Sequence, residues 1–237
     1  MTRQRSLAAW STAALLVMSF LAPAVHAQVA PSAAEAARYT GLHAAAHRGD
    51  LPLLNKLLST GAPVNARDAL GRTAVHVATF ARQAEVLRAL AQAGANLELL
   101  ENDRYDAVTI AAVADDEATL RLLLSLGASA KLTTSRYDGT ALIAAAHLGH
   151  VGVVRQLIAA GAPLDHVNNL HWTAVIEAIV LGDGGARHQA VLQALLDAGA
   201  STRLTDRAGN TPLALAQARG YSAMVALLEK LAPDPKP

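Results

Sequence analysis

The pair Gly-Ala recurs five times along this chain at nearly constant intervals. The intervals between successive pairs are 33, 33, 34 and 38 residues. Each pair follows an amphipathic segment rich in leucine and valine, and a glycine just past such a run is typical of the left-handed residue that ends a helix. The pairs therefore indicate equivalent helices in a repeated unit, which favours a solenoid. The pairs are Gly61-Ala62, Gly94-Ala95, Gly127-Ala128, Gly161-Ala162 and Gly199-Ala200.

A second helix is predicted in each unit, because a residue able to cap a helix stands at the same place before every stop signal. Its side-chain oxygen accepts from a backbone N–H group of the first turn that otherwise has no partner. A sixth unit ends at Ala232-Pro233 instead of Gly-Ala. The sequence therefore predicts an all-α solenoid of six helix-turn-helix units joined by short hairpin tips. The capping residues are Thr40, Thr73, Asp106, Thr140, Thr173 and Thr211.

These units resemble the ankyrin-repeat family. Residues 71–78 and 209–216 are similar to the family's Gly-x-Thr-Pro-Leu-His stretch, and residues 149–162 to its Gly-His-x-x-Val-Val-x-x-Leu-Leu-x-x-Gly-Ala stretch. The similarity extends from about residue 38 to residue 232, and the chain resembles small exported, periplasmic ankyrin-repeat proteins of bacteria. Arg82 and Asp115 depart from the pattern, since the family ends the first helix with glycine there. The resemblance implies a binding module that holds another protein on its concave face.

The first 27 residues have the pattern of a secretory signal. A basic start with Arg3 and Arg5 precedes an apolar stretch over residues 7–21, and Val25-His26-Ala27 is a small-x-small cleavage sequence. The apolar stretch contains polar residues and is shorter than the roughly 20 residues that a membrane-spanning helix needs. We expect cleavage after Ala27 and a location in the periplasm or outside the cell. Residues 28–37 then form a linker, residues 38–232 the repeat domain and residues 233–237 a proline-rich tail.

Composition excludes several classes of function. The chain has no cysteine, which excludes disulfides, cysteine-ligated metal sites and a thiol nucleophile. A formal net charge of +1 provides no overall field for attracting nucleic acid. The sequence also lacks the nucleophile elbow, the phosphate-binding loop and the His-Glu-x-x-His zinc motif. We therefore expect no catalytic activity, no cofactor and no metal, with a protein as the partner.

The nine histidines are mostly explained by structure. His43 and His76 occupy positions at which the family uses histidine for hydrogen bonds between repeats, and His150 falls at the family's Gly-His step, so we expect all three to be structural. His43 and His47 have the i, i+4 spacing of zinc ligands, but no third ligand lies near them in sequence. His47 and His147 are three repeats apart and are too distant to share a metal ion.

Aromatic residues and arginines concentrate at positions that match the family's concave face, which we define as the hairpin tips together with the exposed ends of the inner helices. Such residues are typical anchors of protein interfaces. The alternative is that the aromatic side chains at the tips only pack against neighbouring tips. The candidate binding residues are Arg72, Phe80, Tyr105, Arg136, Tyr137, His147, His171 and Trp172.

The fifth repeat carries an insertion of about five residues, at residues 182–187, between its two helices. It contains Gly182-Asp-Gly-Gly185, and nearby Glu177 occupies a slot of the inner helix that the family usually fills with an apolar residue. Asp183 is expected to cap the second helix or to accept from glycine N–H groups, and a buried Glu177 would need a cation. We expect Arg187, His171 or His188 to supply it. Three alternatives remain: a structural loop, a contact with the partner, or a metal or small-ligand site that would make the protein ligand-dependent or an enzyme.

Overall fold

The structure is a computed structural model that describes residues 29–230. Within that range the chain forms thirteen α-helices and no strand, with one isolated bridge between Thr134 and Gly139. This confirms the predicted all-α solenoid. The helices are α1 (Ala33–Arg38), α2 (Gly41–Arg48), α3 (Leu51–Ser59), α4 (Ala74–Phe80), α5 (Ala84–Gln92), α6 (Ala107–Val113), α7 (Glu117–Ser125), α8 (Ala141–Leu148), α9 (Val151–Ala159), α10 (Ala174–Val180), α11 (Ala186–Asp197), α12 (Pro212–Ala218) and α13 (Ser222–Glu229).

The capping residues begin the inner helices as the sequence predicts. Asp106, Thr140, Thr173 and Thr211 each accept a hydrogen bond from the backbone N–H three residues later, over 3.0 to 3.3 Å. Thr40 is also an N-cap residue, but its side chain makes no capping bond. The helix starts are therefore set by local chemistry at equivalent points of the repeat.

Glycine stop signals end the outer helices in the same regular way. The glycine of each Gly-Ala pair has a positive φ angle, from 77° at Gly161 to 96° at Gly127. At the end of two inner helices the same left-handed conformation falls on residues with side chains, Arg82 at 56° and Asp115 at 52°. The backbone therefore makes the same turn at Arg82 and Asp115 as it would with the family's glycine.

Two layers of helices build the solenoid. The inner helices α2, α4, α6, α8, α10 and α12 contact one another in succession, and the outer helices α3, α5, α7, α9, α11 and α13 do likewise. One continuous core runs between them, with alanines such as Ala45, Ala78 and Ala112 fully buried on the inner side and leucines such as Leu87 on the outer side. Each hairpin thus buries its apolar face against its neighbours.

The fifth-repeat insertion is divided between a loop and an extra helical turn. Helix α10 ends at Val180 and α11 begins at Ala186, so the loop spans residues 181–185. Helix α11 has 12 residues, whereas α9 has 9 and α13 has 8. The longer helix absorbs part of the insertion.

One further helix precedes the repeats. A short helix, α1, occupies the second half of the segment that the sequence marks as a linker and ends one residue beyond it, at Arg38. Ser32 and Glu35 form its capping box. Within residues 29–230, every helix is too short or too polar to cross a membrane. The predicted signal peptide and the proline-rich tail lie outside the described residues.

Candidate functional site

Successive hairpin tips are tied together by hydrogen bonds. The backbone N–H groups of Asn102, Ser135 and Asn169 donate to carbonyl oxygens in the preceding tip, at 2.9 to 3.0 Å. Asn169 also donates its side-chain amide to the carbonyl of Arg136 at 3.0 Å. The tips therefore form one continuous edge along the concave face.

An open depression lies on this face between the second and third repeats. Five of the residues that line it define what we call the aromatic depression: Val29, Leu70, Phe80, Asn102 and Tyr105. Phe80 and Tyr105 are half-buried, while Leu70 is 44% exposed. Burial raises the pKa of the Tyr105 hydroxyl above its ordinary value. The depression thus offers two aromatic rings and one leucine to a partner, beside the acidic residues Glu101 and Asp103 that also line it.

Arg72 lies beneath this surface, where it is 3% exposed. Its guanidinium pairs with Asp68 at 2.7 Å and with Glu35 of α1 at 2.9 Å, and it stacks over the ring of Tyr39. Desolvation opposes the charge of Arg72, but hydrogen bonds from its side chain to the two carboxylates keep its pKa raised. Arg72 therefore joins α1 to the second repeat and offers its charge to neighbours within the chain.

The other candidate binding residues are spread over the next two tips. Arg136 is exposed and pairs with Asp103 of the preceding tip at 3.3 Å. Tyr137 and Trp172 are half-buried, and His171 is exposed with a φ angle of 65°. The structure therefore brings Phe80 and Tyr105 together in the aromatic depression and leaves Tyr137, His171 and Trp172 as separate points along the same edge.

Three histidines have the predicted structural role. His43 contacts the carbonyl of Arg72 at 2.8 Å, His76 that of Tyr105 at 3.2 Å, and His150 that of Ala112 at 3.0 Å. Each bond joins neighbouring repeats. Burial lowers the pKa of His76 to about 4, which keeps this ring neutral. Residues 29–230 contain no cluster of three or more side chains arranged to hold a metal ion.

Glu177 is the most unusual side chain on the inner helices. It is 4% exposed, and its Oε1 atom accepts from the side-chain amide of Asn168 at 3.0 Å. Its Oε2 atom is buried and has no hydrogen-bond partner, with His147 Nδ1 lying 3.8 Å away. Burial raises the pKa of Glu177 to about 7, and the bond from Asn168 opposes that rise. Burial, followed by the charge of His188, lowers the pKa of His147.

The prediction that Arg187, His171 or His188 pairs with Glu177 was wrong. Arg187 and His171 are exposed, whereas both ring nitrogens of His188 are occupied by Asp183 at 2.8 Å and by the carbonyl of His147 at 2.9 Å. The extra turn of α11 leaves Arg187 in solvent at the start of that helix. His147 takes the place nearest the carboxyl group instead, and its ring is held neutral by burial.

The insertion loop satisfies its own polar groups. Asp183 accepts from the N–H of Gly185 and from His188, both at 2.8 Å, and these bonds lower its pKa. Tyr221 of the sixth repeat donates its hydroxyl to the carbonyl of Gly182 at 3.0 Å. These contacts support the structural alternative for the loop, with Asp183 accepting from a glycine N–H rather than capping α11.

The role of Asn168 was missed by sequence reasoning. It is 4% exposed at the foot of the fifth tip, where the second and sixth repeats carry Asp68 and Asp206. A signal was present in the sequence, since an amide replaces a carboxylate in the same repeat in which Glu177 replaces an apolar residue. The two departures compensate each other, because only the amide can donate to Glu177.

Comparison with known proteins supports the repeat assignment. A family model described as ankyrin repeats in three copies matches residues 42–134 and 109–206. The chain is similar to an ankyrin repeat domain from Acinetobacter baumannii AYE, with 43% identity and a TM-score of 0.75, over 80% of this chain and 96% of that one.

Two further similarities are more limited. The chain is 43% identical over 95 residues to the ankyrin repeat protein YahD of Escherichia coli (strain K12), which is 40% of this chain and 47% of YahD, so it spans about half the length of that relative. A chain in the structure of the Bd0816 predatory endopeptidase from Bdellovibrio bacteriovorus in complex with immunity protein Bd3460 is 23% identical, with a TM-score of 0.64 over 81% of this chain and 98% of that one. This last likeness concerns the fold alone.

Proposed function

The chain belongs to the ankyrin-repeat family, and from that premise we propose that it is a non-catalytic protein-binding module whose concave face holds its partner. The aromatic depression carries this proposal. It leaves Phe80 and Tyr105 half-buried and Leu70 exposed beside polar Asn102. Apolar surface rimmed by polar groups is typical of docking sites, and aromatic residues are frequent anchors in them.

The binding face in this proposal continues along the tips. Tyr137, His171 and Trp172 extend it towards the fifth repeat, with His147 at the exposed end of α8 and Arg136 on the rim. Arg72 supports the face from below, because its ion pairs hold α1 and the second repeat together.

We further propose that the protein works in the periplasm or outside the cell. The pattern of residues 1–27 supports export, and a chain without cysteine suits an oxidising compartment. An adaptor, accessory or inhibitor role fits such a location. A chain of this fold occurs in the structure of an endopeptidase in complex with an immunity protein, so an inhibitor or immunity role belongs within the proposal.

Site-specific cross-linking in the producing cell tests the binding face. A photoreactive benzoylphenylalanine at Phe80 is expected to capture a defined protein. The same residue at Arg88, which lies on outer helix α5 and has a half-exposed side chain, serves as the matched control. Equal capture from both positions, or capture from Arg88 alone, would place the interface elsewhere. Sequencing of the exported chain from residue Gln28 tests cleavage after Ala27.

The captured protein then allows a quantitative test in solution. The double change Tyr105→Ala, Tyr137→Ala is expected to weaken its binding by about 2 kcal/mol or more, roughly thirtyfold, if these residues are anchors. Helicity by circular dichroism checks that the fold is kept. Unchanged affinity of a folded double variant would contradict the proposed face.

A further inference from the structure

Glu177 departs from the pattern of all the other repeats. The equivalent position, four residues after the capping residue, is apolar in each of them: Ala44, Val77, Ile110, Ala144 and Leu215. A buried carboxyl group in such a position is costly unless it is paired. A carboxyl group occurs here in the fifth repeat only, together with the amide of Asn168 that binds it. The pair therefore has a role that is specific to the fifth repeat.

Asn168 connects this carboxyl group to the fifth hairpin tip. Its Oδ1 atom accepts from the backbone N–H groups of Leu170 and Trp172, both at 3.0 Å, and its own N–H donates to the carbonyl of Trp172 at 3.0 Å. Its remaining donor group is the side-chain amide, which bonds Glu177 at 3.0 Å. One side chain thus fixes both the tip conformation and the link to α10.

No cation neutralises Glu177 among the described residues. From α8 it faces His147, and behind His147 lies His188 of α11, whose Nδ1 atom is bonded to Asp183. Helix α12 has no titratable side chain, and Glu177 itself is the only one on α10. The environment therefore disfavours the charged carboxylate, and the pKa of Glu177 is raised to about 7. Its proton is gained or lost near neutral pH.

We propose that Glu177 is a positioning residue that controls the fifth hairpin tip according to whether its carboxyl group carries a proton. With the proton in place, the buried group is neutral and Asn168 holds the tip in the conformation described above. Loss of the proton leaves a buried negative charge on an oxygen without a partner. The carboxylate then draws in water or the ring of His147. Because the amide of Asn168 binds a carboxylate more tightly than a neutral carboxyl group, the movement of Glu177 is passed on to the tip.

The consequence for binding rests on the proposed function. The tip that Asn168 holds carries Leu170, His171 and Trp172, which belong to the proposed binding face. A change of this tip near neutral pH therefore alters the face presented by the fifth repeat, while the aromatic depression of the second and third repeats is unaffected.

Tryptophan fluorescence tests the proposal without a partner, so its outcome is separate from that of the proposed function. The sequence has two tryptophans, Trp10 and Trp172, and Trp10 lies in the segment that cleavage after Ala27 removes. The chain from Gln28 onwards therefore has Trp172 as its only tryptophan. In this chain we expect the emission of Trp172 to change in a single transition with a midpoint within about one pH unit of 7. The isosteric change Glu177→Gln, which keeps an acceptor for Asn168 and cannot ionise, is expected to abolish it.

His171 provides the matched control, because an exposed histidine beside Trp172 could itself alter the emission. The transition should persist in His171→Gln. Its loss there, its persistence in Glu177→Gln, or its absence in the parent chain would overturn the proposal. If Glu177→Gln does not fold, a ¹³C NMR titration of the Glu177 carboxyl in the parent chain decides. A midpoint near 7 supports the proposal and one below about 5 refutes it.

Discussion

The side-chain amide of Asn168 donates to Oε1 of Glu177 over 3.0 Å, while the other oxygen of the same carboxyl group has no partner. The bond joins a hairpin tip to an inner helix, and a buried carboxyl group with one satisfied oxygen is stable chiefly in its neutral form. The link between the fifth tip and α10 therefore depends on the protonation of this one group.

Stability should fall as the pH rises through neutrality because of Glu177. Its pKa is about 7 in the folded chain against an ordinary value of 4.5, so the folded state holds the proton more tightly. The stabilisation is fully present below pH 4.5 and is lost by the time the pH exceeds 7, with a total on the order of 3 kcal/mol. Urea denaturation of the parent chain and of Glu177→Gln at about pH 4.5 and at about pH 8.5 measures this contribution. A pH-independent difference between the two would contradict it.

His76 should act in the opposite direction. Burial lowers its pKa to about 4 from 6.5, so the unfolded chain binds the proton more readily. Its contribution is present above pH 6.5 and is lost as the pH falls towards 4, again on the order of 3 kcal/mol. We expect denaturation midpoints of His76→Gln to depend less on pH over this window than those of the parent chain. An unchanged dependence would show that His76 is not the group responsible.

The capping bond of a central repeat can be compared with a terminal position that lacks one. Thr140 accepts from the N–H of Ile143 at 3.3 Å, whereas the Thr40 side chain makes no capping bond. Thr140→Val should therefore cost about 1 kcal/mol of unfolding free energy, and Thr40→Val clearly less. Chemical denaturation of both variants provides the measurement, and equal losses would argue against side-chain capping as the cause.

The buried ion pairs of Arg72 should matter far more than the exposed pair of Arg136. Arg72→Leu leaves the carboxylate of Asp68 partly buried without its cation, which costs roughly 3 kcal/mol or more. Arg136→Leu removes a contact with Asp103 between side chains that are 54% and 60% exposed, and should cost less than about 1 kcal/mol. Thermal melting distinguishes the two, and similar losses would show that Arg72 does not join α1 to the repeats.

Most of the fold could be predicted because the same local sequence pattern occurs in six repeats. A capping residue such as Thr173 and a stop such as Gly199 depend on neighbours in sequence, so their effect can be read from the sequence alone. Where glycine was missing, Arg82 still takes the left-handed conformation, since tertiary packing sets the backbone there. The extra helix α1 was missed because its attachment depends on Arg72, a residue 37 positions after Glu35.

The candidate site was less predictable, because it depends on which side chains meet across repeats. Sequence placed Glu177 in an unusual slot, but its neighbours His147 and Asn168 come from a different helix and a loop. Arg72 matched a tip position by register, yet two carboxylates draw it into the interior. Burial and pairing of this kind are properties of the stacked repeats rather than of any single one.

The insertion loop should be sensitive to added volume at one glycine and tolerant at another. A Cβ atom at Gly182 would clash with the backbone carbonyl of Ala178 and come within 2.7 Å of the His188 ring, both of which are fixed by packing. At Gly185 it would come within 3.0 Å of the Asp183 carboxylate, whose exposed side chain can turn away at the cost of lengthening its bonds to Gly185 and His188. Gly182→Ala should therefore cost roughly 2 kcal/mol and Gly185→Ala less than about 1 kcal/mol.

Thermal melting with and without Ca²⁺ or Mg²⁺ completes this test. If the loop is held by its own hydrogen bonds, the parent chain should have the same melting temperature with and without the cation. The melting temperature of Gly182→Ala should then be lower by the same amount in both conditions. If the cation raised the melting temperature of the parent chain, and this rise vanished in Glu177→Gln, binding to the native state would be indicated. The loop would then be part of a ligand site. A cation-independent loss in Gly182→Ala instead identifies close packing between α10 and α11 as what this loop provides.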